Sequence, residues 1–174
     1  MKKKTYCQTV ALLPLHHVQR RYHDRHYGRP VRTDRALFER LVLEINQAGL
    51  SWETILNKQT AFRRAYDGFS IERVAAYGAQ DRRRLLRDSS VIRNRLKIDA
   101  AIFNAQQILH IQDEYGSFLA WLNQHQGRRW TTWLQLFKKT FRFMGPEIVR
   151  EFLMSLALIP GAHDRSCPMH APRK

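Results

Sequence analysis

Apolar residues recur every three or four positions along nearly the whole chain, and no segment carries a convincing strand pattern. That spacing gathers side chains on one face of an α-helix, whereas a half-buried strand alternates its faces at every residue. The clearest run is Ile98, Ala101, Ile102, Ala105, Ile108 and Leu109, a long helix ending near Gly116. Thr33–Gly49 places Leu37, Phe38, Leu41, Val42, Ile45 and Ala48 on one arc, and Ser51 caps a helix with Trp52, Ile55, Leu56, Phe62 and Tyr66 on its apolar side. Ser70 opens a short helix closed by Gly78, a basic helix surrounds Leu85 and Leu86, and residues 89–95 break the pattern. Ser117 starts another helix, and a turn at Gln126–Arg129 precedes one from near Thr131. Pro146, at a favoured first helical position, starts a last helix expected to run to Pro160–Gly161. The fold class is all-α.

At 174 residues, 44% of them hydrophobic, the chain buries a sizeable core as one domain or two small lobes, which excludes wholesale disorder. No stretch approaches the roughly 20 apolar residues of a membrane span. The start, MKKKTYCQTV, lacks the apolar core of a signal peptide, so an intracellular protein with no membrane partner is expected.

Thirty Lys+Arg against fifteen Asp+Glu give a formal charge of +15. Arginines cluster at 20–21, 82–84, 93–95 and 128–129. Such a field attracts polyanions, and guanidinium forks suit phosphates, so nucleic acid is the partner class this composition favours over a merely basic proteome.

Two cysteines, Cys7 and Cys167, stand near the two ends. His163 precedes Cys167 by four positions and His23 follows Cys7 by 16. Two thiolates and two imidazoles compose a closed tetrahedral zinc site. The spacing is not that of a zinc finger, however, and His16, His17, His26 and His170 are alternative ligands.

Glu44 is the residue whose placement asks for a reason. At about 100° per residue it falls about 20° from Leu37, at the margin of the apolar arc. Either it pairs with Arg40 on the helix surface, or it is held against a pocket.

The ordered set YHDRHYGRP (22–30), LEINQAGLSW (43–52), VIRNRLKIDAAIFNA (91–105), FRFMGP (141–146) and AHDRSC (162–167) resembles the 3-methyladenine DNA glycosylase I family, bacterial members of the helix-hairpin-helix glycosylase superfamily. The resemblance spans residues 7 to 167. It implies an all-α, helix-hairpin-helix glycosylase-like bundle forming one compact unit over 1–174. One lobe would cover roughly 33–115, and a zinc-tethered lobe residues 1–32 plus 116–174. A structural zinc on Cys7, His23, His163 and Cys167 would join the two ends of the chain.

The implied reaction is base-excision repair. A monofunctional N-glycosyl hydrolase would remove 3-methyladenine from alkylated double-stranded DNA, leave an abasic site, and work as a monomer in the bacterial cytoplasm at the nucleoid. Glu44 would accept hydrogen bonds from the amino edge of the flipped, cationic base, with Tyr22 and Trp52 lining the pocket. The hairpin would grip DNA. Because its two usual glycine positions are Ser90 and Leu96, side chains of Arg93, Arg95 and Lys97 would meet the phosphates. The motif after YHD also departs from the family, with His26 and Tyr27 where an acidic residue and tryptophan are usual. The alternative is a non-catalytic or substrate-shifted zinc-stabilised DNA-binding relative. Glu44 separates the two, since a mere binder gains nothing from a carboxylate facing a polyanion.

Overall fold

A computed structural model describes residues 4–170; the basic start at residues 1–3, part of the stretch weighed against a signal peptide above, lies outside them. Ten α-helices and one 3₁₀ turn follow one another, with no strand among the described residues. They are α1 (Tyr6–Ala11), α2 (Val18–Arg25), α3 (Asp34–Gln47), α4 (Trp52–Ala65), α5 (Ile71–Ala75), α6 (Ala79–Arg87), α7 (Arg95–Tyr115), α8 (Phe118–Gln124), α9 (Trp130–Thr140) and α10 (Pro146–Ser155). No helix is long and apolar enough to cross a membrane.

The helix starts obey local chemistry. Thr33, Ser51, Ser70, Asn94 and Ser117 each accept a backbone N–H of the first turn with their side-chain oxygen. Asp34 reaches further: its carboxylate accepts the amides of Phe118 and Leu119 and the Gln112 amide, fixing the start of α8 against α3. One apolar core runs from Leu37 to Leu156 and draws on α3, α4, α7, α8, α9 and α10. A small satellite of Tyr22, Tyr27 and Leu56 ties the N-terminal segment to α4.

One boundary differs from the sequence reading. The last helix stops at Ser155 rather than at Pro160. Ala157 takes a left-handed conformation (φ 59°), its amide donates to Met154 O, and the Leu158 amide returns to Leu153 O. This is a Schellman closure with alanine where glycine is usual. With no glycine at that place, the pattern showed no stop.

Candidate functional site

α3 and α4 meet at the turn Ala48–Ser51, and α2 packs on α4. Between them lies a cavity of about 360 Å³ lined by Tyr6, Tyr22, Tyr27, Glu44, Gln47, Trp52, Glu147 and Glu151. Glu44 is 5% exposed, and no hydrogen bond or ion pair to its carboxylate is found among the described residues. The surface pair with Arg40 does not form. Arg40 instead donates to the Tyr22 hydroxyl at 2.8 Å, with its guanidinium 5.1 Å from the centre of that ring. Burial pushes the Glu44 carboxyl up to about 8; Arg40 opposes this and Glu151 adds to it.

The walls are aromatic. Tyr22 and Trp52 meet edge to face at 5.1 Å, and Tyr27 lies 5.9 Å from Tyr22. Tyr27 donates to Glu151 at 3.0 Å, and burial raises the Glu151 carboxyl too. The Tyr6 hydroxyl is buried with no hydrogen-bond partner among the described residues. The cavity combines three carboxyl groups with four electron-rich rings in a protein of charge +15, and such a lining offers a flat cation both ionic and cation–π contacts.

The structure therefore brings together Tyr22, Glu44 and Trp52, and adds Tyr6, Tyr27, Glu147 and Glu151, which the sequence reading did not assign to a site. Tyr27 had a signal, since it replaces the tryptophan usual in the family. Tyr6 and Glu151 had none, for they arrive from distant helices.

The four proposed ligands also converge. Donor atoms of Cys7, His23, His163 and Cys167 all lie within 4.8 Å of one another. The His23 Nε2 is 3.3 Å from Cys7 Sγ and 3.7 Å from Cys167 Sγ. The His163 Nδ1 is 3.2 Å from His23 Nε2 and 3.7 Å from each sulfur. Zinc bonds of about 2.0–2.3 Å imply tetrahedron edges of about 3.3–3.8 Å.

The outer contacts fix the tautomers. Nδ1 of His23 faces Asp24 Oδ1 at 2.7 Å and Nε2 of His163 faces the Tyr27 carbonyl at 3.0 Å, so both rings donate outward and turn bare lone pairs inward. Amides of Asp164 and Met169 donate to the Cys7 and Cys167 sulfurs. Two lone pairs and two sulfurs aimed at one point fit a soft divalent cation. Gly28 permits the approach: a Cβ there would sit 2.8 Å from Ala162 Cβ and 3.0 Å from the His163 ring. The competing histidines are elsewhere. His17 caps α2, and His170 bonds the His163 carbonyl with its ring.

The turn between α6 and α7 shows one correction. Arg93 and Arg95 are exposed, Arg95 lying 3.7 Å from Asp99. Lys97 is 5% exposed, and its ammonium donates to the carbonyls of Asn46 (2.9 Å) and Ala48 (2.7 Å) at the C-terminal end of α3. It closes that helix end and has no free reach to a phosphate, because α7 starts against α3. Neither Ser90 nor Leu96 takes a left-handed conformation, so the missing glycines leave no backbone strain. Lys58 holds the turn by donating to the carbonyls of Ser89 and Ser90, at 3.1 Å each.

Comparison with known proteins agrees with this geometry. The family model described as methyladenine glycosylase matches residues 14–135. DNA-3-methyladenine glycosylase 1 of Escherichia coli (strain K12) is 32% identical over 157 residues, 79% of this chain and 84% of that protein. The structure of 3-methyladenine DNA glycosylase I from Staphylococcus aureus is similar at a TM-score of 0.81 and 35% identity, covering 90% of this chain and 93% of that one. A variant of 3-methyladenine DNA glycosylase I in complex with 3-methyladenine is similar at 0.85 and 33% identity, covering 98% and 100%. The chain belongs to the methyladenine glycosylase family.

Proposed function

We propose that this protein is a DNA-3-methyladenine glycosylase in which Glu44 reads the flipped base. The supporting observation is the buried, unpaired Glu44 carboxylate between Tyr22 and Trp52. Methylation at N3 leaves adenine with a positive charge and a weakened glycosidic bond. The lesion pairs poorly, so extruding it from the duplex is cheaper than extruding a normal base. Once inside, each aromatic face contributes about 0.5–2 kcal/mol to the cation. Glu44 ionises as the cation arrives and accepts hydrogen bonds from the amino edge. Water then attacks the sugar C1′ and gives up a proton to solvent, while the electron pair of the C1′–N9 bond passes to the base, which leaves neutral. The product is an abasic site with an uncut strand, as expected of a monofunctional hydrolase.

In this reading α6, its turn and α7 form the helix-hairpin-helix grip, with Arg93 and Arg95 on the phosphates of alkylated double-stranded DNA. Residues 33–115 make the DNA-gripping lobe, and 1–32 with 116–174 the tethered one. Zinc on Cys7, His23, His163 and Cys167 supplies a structural cross-link between the chain ends and takes no part in bond breaking. The protein acts as a cytoplasmic, nucleoid-associated monomer. The test is chromatography of bases freed from methylated DNA, scored for 3-methyladenine against 7-methylguanine. Release of 3-methyladenine by the wild type and its loss in Glu44→Gln are expected; unchanged release by the variant removes Glu44 from the mechanism.

A further inference from the structure

Among the described residues four large apolar side chains stand exposed: Leu12 (70%), Leu15 (76%), Leu50 (39%) and Leu96 (69%). Leu12 and Leu15 belong to the connection between α1 and α2, and the other two lie in or next to residues that meet the segment Asn46–Glu53. Leu50 lies within it, and Leu96 precedes Lys97, which holds the Asn46 and Ala48 carbonyls. Leu15 stands two residues before His17, whose Nε2 is 3.2 Å from Glu53, and Gln19 donates to the other Glu53 oxygen at 3.3 Å. Trp52, beside Glu53, lines the base pocket. The loop between α1 and α2 is thereby anchored next to the turn that borders the pocket.

This loop is built rather than slack. The Leu13 amide donates to Val10 O at 3.0 Å and the His17 amide to Pro14 O at 2.9 Å, while Arg20 Nη1 grips Ala11 O at 3.1 Å. Pro14 fixes its own φ. Two leucines held outward in a fixed frame gain from burial only when a partner covers them.

We propose that Leu12 and Leu15 form a second DNA-contacting element, packing into the minor groove beside the extruded nucleotide while His16 and Arg21 meet the flanking phosphates. The inference rests on the glycosylase reading above. Three observations favour DNA as the occupant. Apolar side chains are what minor-groove binders insert between base steps, the loop is joined through His17 to Glu53, the neighbour of the pocket residue Trp52, and His16 and Arg21 are exposed in a protein of charge +15.

The test is a Leu12→Ser/Leu15→Ser variant, whose melting temperature should match the wild type because both side chains are exposed. Its affinity for a duplex carrying a tetrahydrofuran abasic analogue is read by fluorescence anisotropy and is expected to fall on the order of ten-fold. Affinity for free 3-methyladenine stays unchanged. Leu15→Ser alone gives a smaller loss of the same sign and serves if the double variant folds poorly. Equal duplex affinity overturns the proposal, as does a concentration-dependent dimer that the variant abolishes, which would make a second copy the occupant. If the wild type frees no 3-methyladenine yet the variant still binds the duplex more weakly, the catalytic reading falls and the loop contact stands.

Discussion

The aromatic pocket and the Cys/His cluster are neighbours built from the same short segments, yet they space their buried polar groups differently. Tyr6 faces the pocket and Cys7 the cluster; Tyr22 faces the pocket and His23 the cluster; Tyr27 lines the pocket while its carbonyl orients His163. In the cluster the two outer ring nitrogens meet oxygen acceptors and both sulfurs receive an amide, while the inner lone pairs converge on one point. In the pocket a carboxylate and a hydroxyl are left without protein partners. The cluster's four donor atoms crowd within 4.8 Å of one another and suit one small ion, whereas the pocket's unpaired groups line a cavity of about 360 Å³ that suits a larger ligand. In the proposed reading the cluster is scaffold and the pocket holds the base. The scaffold also sets the aromatic wall, since each pocket tyrosine is tied to a cluster residue.

The strongest attempt to break that comparison is Cys167→Ser. Loss of one ligand unties a loop of nearly the whole chain, and the melting temperature should drop on the order of 10 °C. Affinity for free 3-methyladenine should weaken with it, because Tyr6, Tyr22 and Tyr27 lose their anchor. Loss of stability with base affinity intact would show the two regions to be independent. Elemental analysis of the wild type should find about one zinc per chain.

Next comes Glu44→Gln, expected to lower base release about 100-fold or more while duplex affinity holds. Its pH behaviour sharpens the assignment. The folded carboxyl titrates at about 8 against an ordinary value of 4.5, so the native state holds the extra proton between these values. Stability therefore falls as pH rises from 4.5 to 8, by several kcal/mol, and the loss is complete above 8. Glu44→Gln removes this slope, so denaturant unfolding should show the variant's advantage growing from pH 5 to pH 9. In the free enzyme kcat/KM should rise through about pH 8 and lose that rise in Glu44→Gln. Parallel profiles for both proteins would remove the burial argument.

Lys97→Met tests the corrected role of that lysine. Two carbonyls at the end of α3 lose a charged donor, and stability should fall by about 1–3 kcal/mol in urea unfolding. A phosphate-binding lysine would instead alter the salt dependence of DNA binding with stability unchanged. The smallest effect is expected for Arg93→Ala, which should lower the slope of log affinity against log salt by about 1 and leave the pocket untouched.

Much of this molecule is legible in its residue order alone. Helix content, the caps at Thr33, Ser51, Ser70 and Ser117 and the position of Glu44 on the margin of an apolar arc all depend on residue type and near spacing, whereas the four-ligand set came only with the family resemblance. Such features are local, because a cap or a helical face is decided by residues within about four positions. Packing decided the rest. It turned Arg40 to Tyr22 instead of Glu44, buried Lys97 against α3, stopped α10 at Ala157, and delivered Tyr6 and Glu151 to the pocket from the first and last helices. Whether a charge is exposed or desolvated depends on which distant segment comes to rest on it. The sequence chose the carboxylate, and only the closure of remote helices over it made that carboxylate a buried, unpaired group.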